Sequence, residues 1–231
     1  MTRALIFGHG RMGRLVEQHA ASHGLKVEGI VTRSTAAAEW ERWWVEPADV
    51  AIDFATGDAL VAHADDLCRA ARTLVIGSTG WDAEADTVRD AVARHGRGAV
   101  VASNFSVGAH VLEAAAVAAA RLLADADDYE AFLHEAHHSR KRDAPSGTAK
   151  SLLAALTEAG YGRHVDVAAT RAGHIPGVHT LGFDGPAETV SLSHSVRDRA
   201  TFAHGALRAA RWVQGRTGLF TMKDVLGISY A

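Results

Sequence analysis

Cysteine is almost missing from the 231 residues, and the single Cys68 can close no intramolecular disulfide and fits a reducing compartment. An excess of one charge is missing too. With 24 Lys and Arg against 27 Asp and Glu, the net charge of −3 gives no reason to expect a polyanion partner. There is no long hydrophobic run. The most apolar helical stretch, Val111 to Ala124, carries Glu113 and Arg121 and is too short to span a bilayer. Met1-Thr2-Arg3 runs straight into a strand-like segment, without the apolar stretch of a signal peptide. Internal repeats and low-complexity linkers are absent. These absences predict a soluble cytoplasmic protein without nucleic-acid or membrane partners.

What is present is an alternation. Short apolar runs at Ala4–Phe7, Val27–Val31, Val50–Phe54, Leu74–Ile76 and Ala99–Ala102 read as strands. Helical patterns at Arg14–His23, Ala59–Ala71 and Asp82–His95 lie among them. Strands and helices in turn predict a parallel sheet covered on both faces. The pattern breaks between Ser34 and Pro47, where Trp40, Trp43 and Trp44 stand at helical spacing and are expected to pack on the sheet. From Val107 the character changes. A helix through Ala124, a strand Tyr129–His134, a His-rich polar loop and a helix Thr148–Ala159 come first. Strand-like stretches Val165–Arg171, His179–Phe183 and Glu188–Ser195 follow, and Thr201–Trp212 is helical again. The expected class is α/β: a Rossmann-like parallel-sheet nucleotide domain (1–108 and 200–231) with an inserted α+β substrate domain (109–199).

The first strand ends in Gly8-His9-Gly10-Arg11-Met12-Gly13, a G-x-G-x-x-G at a strand-to-helix turn. Gly8 permits the turn, Gly10 lets backbone approach a pyrophosphate, and Gly13 allows close helix packing. The N–H groups opening the helix, from Arg11 and Met12 on, offer a positive dipole end to phosphates. The second strand ends in Val31-Thr32-Arg33-Ser34, with no carboxylate for a ribose. Arg33 among hydroxyls suits a 2′-phosphate, and an ordinary solvated loop arginine reads equally well there.

The densest chemistry is Glu135-Ala136-His137-His138-Ser139-Arg140-Lys141-Arg142-Asp143-Ala144-Pro145-Ser146-Gly147-Thr148-Ala149. Pro145-Ser146-Gly147-Thr148 opens a helix, so N–H groups and hydroxyls form an anion pocket, and Lys141 with Arg140 or Arg142 adds fixed positive charge. A histidine there delivers a proton near neutral pH. Adjacent His137 and His138 lack a convincing third metal ligand, so no metal is expected. A basic surface loop is the other reading, against which the Gly-Thr helix start argues.

This loop resembles the E-x-H-H-x-x-K-x-D-A-P-S-G-T-A signature of the 4-hydroxy-tetrahydrodipicolinate (dihydrodipicolinate) reductase family. Gly10-Arg11-Met12-Gly13, Ile52-Asp53-Phe54-Ala55-Thr56, Val75-Ile76-Gly77-Ser78-Thr79-Gly80, Asn104-Phe105-Ser106-Val107-Gly108, Arg171-Ala172-Gly173 with His179 and Phe183 beyond it, and Gly218–Leu226 are similar to further family segments, in order. The resemblance implies His137 as proton donor and Lys141 as its cationic partner. His138, Ser146, Gly147 and Thr148 would hold substrate carboxylates. Gly77, Thr79, Asn104 and Phe105 would line the nicotinamide side, with Ser78 replacing the usual Thr. It implies an NAD(P)H-dependent reduction of a cyclic dicarboxylate imine at C4 in diaminopimelate and lysine biosynthesis, by a homotetramer. NADPH is the expected cofactor, with NADH as the alternative. The chain departs from the family in a glycine loop one residue shorter, the missing ribose carboxylate and a shorter Ser34–Val50 stretch. The competing readings are a related amino-acid dehydrogenase and a non-catalytic NADPH sensor. Neither needs this loop.

Overall fold

The first half of the chain gives β1 (Thr2–Phe7), α1 (Arg11–Ala20), β2 (Leu25–Val31), α2 (Ala37–Val45) and β3 (Ala48–Asp53). Then come α3 (Gly57–Ala62), α4 (Ala64–Ala70), β4 (Ala71–Ile76), α5 (Ala85–Arg94) and β5 (Gly98–Val101). These elements belong to a computed structural model that describes residues 1–35 and 37–229, without the side chains of 37–39. Two units are resolved: Met1–Ser106 with Ala200–Ser229, and Val107–Arg199.

In the first unit the strands form a wholly parallel sheet in the order β10-β5-β4-β3-β1-β2, with β10 (Gly218–Phe220) at the far edge. The last four residues of β1, β3 and β4 are all buried, as expected of strands covered on both faces. One face packs Leu5, Phe7, Leu60, Leu67, Leu74, Ile76 and Val92 into a continuous core. On α8 (Ala200–Trp212), Ala203, Gly205, Ala206, Ala209 and Ala210 are buried. A side chain at Gly205 would stand 1.8 Å from the Phe105 carbonyl oxygen. Strand order reverses between β1 and β3, and in such sheets ligands bind at the carboxyl ends beside that point.

The expected helix Ala59–Ala71 breaks at His63 into α3 and α4, and the last residue of that stretch begins β4. The His63 ring stacks on Trp40 and meets Phe7 edge-on. The break after Ser34 closes as α2, which buries Trp40 and Trp43. Trp44 departs from the expectation: it is 38% exposed and lies under the Arg69 guanidinium. β10 and α9 (Met222–Leu226) escaped sequence reading, because three and five residues carry too little periodicity.

The second unit holds α6 (Val107–Leu122), β6 (Glu130–His137), α7 (Gly147–Glu158), β7 (Val165–Arg171), β8 (Val178–Asp184) and β9 (Thr189–Ser195). Its sheet order is β7-β6-β8-β9. β6 pairs parallel with β7 across the α7 crossover, and the other pairs are antiparallel, so the sheet is mixed. Leu112, Ala116, Leu133, Leu152, Leu156, Leu181 and Phe183 form its core. β6 runs three residues beyond the expected His134, which carries Glu135 and His137 out of the loop and into the strand.

Candidate functional site

The glycine loop follows β1 directly. Gly8 adopts φ +87, and a Cβ there would fall 2.7 Å from the Ala55 backbone. At Gly13 a Cβ would stand 2.1 Å from the Gly8 carbonyl oxygen, so α1 can sit this close only on a glycine. Gly10 differs: nothing lies within 4 Å of its missing side chain. Gly10 also caps α1 without a side-chain bond, and no acidic residue stands in the first turn. Open backbone, unpaired helix N–H groups and no competing carboxylate fit a dinucleotide pyrophosphate. Arg11 is exposed and Met12 half-buried.

Arg33 is exposed in the turn after β2, beside a Thr32–Ser34 hydroxyl contact of 2.9 Å and a Thr32 N–H donating to Thr35 Oγ1. Among the described residues it has no ion-pair partner. Thr79 is exposed and Asn104 half-buried, its Oδ1 accepting from the Ser106 N–H. Gly77 makes room for Phe54, whose ring would overlap any side chain there. Two expected nicotinamide-side residues turn inward. Phe105 is 2% exposed and meets Phe54 edge-on, while the buried Ser78 lies beside Asp53. Burial pushes Asp53 up to about 6, against the pull of Ser78 and of the Ala55 N–H that donates to its Oδ1.

In the second unit the site is built on the buried face of β6. Ala131, Leu133, Glu135 and His137 alternate onto it, so the apolar stripe ends in two polar side chains. Glu135 is wholly buried. Its Oε1 accepts from Arg171 Nη2 at 2.6 Å and from the Ser146 N–H at 3.0 Å. Its Oε2 lies 2.8 Å from His137 Nδ1 in a bent contact, with neither atom holding an in-line partner. Burial raises the Glu135 carboxyl, but the hydrogen bonds from Arg171 and Ser146 outweigh it and hold the group below the usual carboxylate range. His179 on β8 places Nε2 2.9 Å from Ser146 Oγ, and its ring meets His137 edge-on at 5.0 Å.

Ser146 caps α7, its Oγ accepting from the Ala149 N–H, so this hydroxyl is taken up inside the protein rather than presented to a ligand. Gly147 is exposed with open space beside it, and Thr148 and His138 are half-buried. Lys141 pairs with Asp143 at 2.8 Å. Lys141 and the Gly147 N–H together hold the Asp143 carboxyl low. An internal carboxylate thus already rests on the cation and helix end expected to receive one. Burial lowers His137, helped by Lys141 and Arg171 and opposed by Glu135 and Asp143.

Glu135, His137 and His179 bring donor atoms within 4.8 Å of one another, a convergence of three strand positions that adjacent His137 and His138 could not reveal. The Arg171 guanidinium already on Glu135 disfavours a cation there. Sequence reading gave no role to Glu135, Arg171, His179 or Asp143. The missed signal was parity: Glu135 continues the buried register of Leu133, and a buried carboxylate requires a partner.

A parallel sheet with a phosphate-ready glycine loop, joined in one chain to a unit with a buried acid–base cluster at a cationic helix end, defines a nicotinamide-dependent reductase. The chain belongs to the dihydrodipicolinate reductase family, whose N-terminal description matches residues 2–105 and whose C-terminal description matches residues 108–226. It is 38% identical to the 4-hydroxy-tetrahydrodipicolinate reductase of Methanoregula boonei, covering 99% of both chains. Against that of Thiobacillus denitrificans it is also 38% identical, covering 95% of this chain and 96% of that one. Among solved structures it is similar in fold to the dipicolinate-bound dihydrodipicolinate reductase from Paenisporosarcina sp. TG-14. That match has a TM-score of 0.80 at 21% identity and covers 96% of this chain and 97% of that one.

Proposed function

We propose that the chain reduces 4-hydroxy-tetrahydrodipicolinate with a nicotinamide nucleotide, supplying the diaminopimelate and lysine route, and that the end of β6 with the start of α7 is where the dicarboxylate binds. The observation carrying this reading is the Asp143 carboxylate held by Lys141 and the Gly147 N–H at the head of α7, an anion already resting on the groups that would receive the substrate's, in the loop that follows the buried His137. The first unit serves as the dinucleotide-binding domain and the second as the substrate-binding and oligomerisation domain. Gly8, Gly10 and Gly13 shape the pyrophosphate loop, with Arg11 and Met12 opening α1 over it. Gly77, Thr79 and Asn104 face the nicotinamide end, which Ser78 and Phe105 support from behind. A nicotinamide nucleotide bound by these residues would supply the hydride that the reduction needs. Lys141, His138, Gly147 and Thr148 hold the carboxylates, with Ser146 fixing the helix end beneath them. To admit them Lys141 exchanges Asp143 for a substrate carboxylate. His137 gives the proton that completes reduction. The test is loss of NADPH absorbance when the condensation product of pyruvate and aspartate semialdehyde is supplied, abolished or cut by about 10²–10⁴-fold in His137→Gln.

NADPH is the preferred cofactor in this reading, supported by the exposed Arg33 in its hydroxyl turn. Arg33→Ala should weaken NADPH more than NADH, by about 1–3 kcal/mol. Equal effects on both cofactors would remove Arg33 from the 2′-phosphate.

A further inference from the structure

The Glu135 carboxylate is the most enclosed charge in the second unit, and every element around it contributes a partner. Arg171 reaches it from β7 at 2.6 Å, the Ser146 N–H from the head of α7, His137 from two residues along β6, and His179 from β8 at 3.7 Å. Arg171 also donates to the Asp143 carbonyl and to its neighbour Thr170, so the guanidinium itself is fixed. One carboxylate oxygen is thereby committed. The other, Oε2, has His137 Nδ1 at 2.8 Å and, further off, His179 Nε2 at 3.7 Å. On its far side the imidazole looks over Gly177: a Cβ there would stand 3.2 Å from His137 Nε2, and the φ of +147 favours glycine. One ring nitrogen therefore faces a fixed anion and the other faces Gly177, where no side chain covers it.

We propose that Glu135 is the positioning residue of this site: anchored by Arg171 and the Ser146 N–H, it holds the Nδ1–H of His137, so that Nε2 is the atom that gives the proton. This rests on His137 being the proton donor. A small ring rotation straightens the bent 2.8 Å contact into a hydrogen bond. Proton transfer then leaves a neutral imidazole with Nδ1–H still on Glu135, and the Nε2–H bond is the one broken. A buried carboxylate in this position fixes tautomer and orientation and stabilises the imidazolium without being protonated itself. The charged groups around His137 are Glu135, Arg171, Lys141 and Asp143, with His179 beside them. Of these only Glu135 is both anionic and wholly buried.

Two measurements on the full-length protein test the proposal. Ring ¹⁵N shifts of ¹⁵N-histidine-labelled wild type should show neutral His137 as the Nδ1–H tautomer, and an Nε2–H tautomer would overturn the proposal without any mutation. Glu135→Gln keeps the shape and removes the charge. It should cut kcat by about 10²-fold or more and move the alkaline limb of the kcat profile roughly one pH unit lower. Cofactor affinity should be unchanged, and Glu135→Asp should restore part of the rate. If His137→Gln is inactive while Glu135→Gln keeps the wild-type rate and limb, the positioning role is wrong and the donor assignment stands. If His137→Gln itself turns over normally, the donor reading falls first.

Discussion

His137 is asked to give up a proton from surroundings that disfavour its charged form. Burial lowers its pKa, and Lys141 and Arg171 add to the effect, while Glu135 and Asp143 oppose it. The donor form is the protonated one, so in the free enzyme it is populated only below a pKa that lies under the ordinary histidine value. A bound dicarboxylate brings negative charge beside Lys141 and raises that pKa. The alkaline limb of kcat/KM, which reports the free enzyme, should therefore lie at lower pH than the limb of kcat, which reports the complex. Steady-state profiles between pH 5 and 9 measure both, and the reverse order would mean that substrate does not charge this histidine. His179 is under the same pressure: burial pushes it down to about 4. Its folded pKa is below the unfolded value, so the protein loses stability as pH falls from about 6.5 towards 4 and the unfolded chain takes the proton first. His179→Gln can keep a bond to Ser146 Oγ and should flatten that acid-side loss, read as the thermal midpoint against pH.

At the scale of elements, the end of β3 carries a comparable tension of opposite sign. Asp53 is buried with its pKa raised to about 6 by desolvation, whereas the unfolded carboxyl ionises near 3.8. Stability is thus lost as pH rises from about 4 to 6 and stays lower above that. Asp53→Asn, which can still accept from the Ala55 N–H, escapes this loss. It should be more stable than wild type by about 3 kcal/mol at pH 8, with the gap closing towards pH 4, by denaturant titration. The same scale shows what the sequence made legible. β1, β3 and β4 were readable because strands buried on both faces are continuously apolar, and β7, β8 and β9 because Gly and Pro bracket them. β6 was cut short at His134 because its buried register turns polar, and that polar register is the site. The helix break at His63 was hidden because Ala59–Ala71 keeps helical spacing through it, and only the packing of His63 on Trp40 and Phe7 marks the bend. The loop residues from His137 to Thr148 were visible as chemistry. Arg171 and His179, well beyond that loop in the chain, are brought to it by strand pairing.

For the whole molecule, the open question is what covers the second sheet. α6 and α7 supply one side of its core. Register places Phe132, His134 and Ala136 of β6, Val178, Thr180 and Gly182 of β8, and Ser191, Ser193 and Ser195 of β9 on the other face. Phe132 lies over Gly182, where a Cβ would stand 2.2 Å from its ring. The middle of this face is thus small and hydroxylic, while Glu130, Asp184 and Asp166 of β7 place charges at its margin. An isologous contact between two such faces would bury it, and a second, different isologous contact would yield the homotetramer that the family resemblance implies. Light scattering at micromolar concentration should give about four times the chain's 24.4 kDa. Thr180→Arg, which replaces one side of the Thr180–Ser193 hydroxyl contact with a charge at the middle of the face, should shift the mass downward. Cofactor affinity, which belongs to the other unit, should be unaffected. A wild-type monomer would remove the assembly, and an unchanged tetramer in Thr180→Arg would move the interface to another surface.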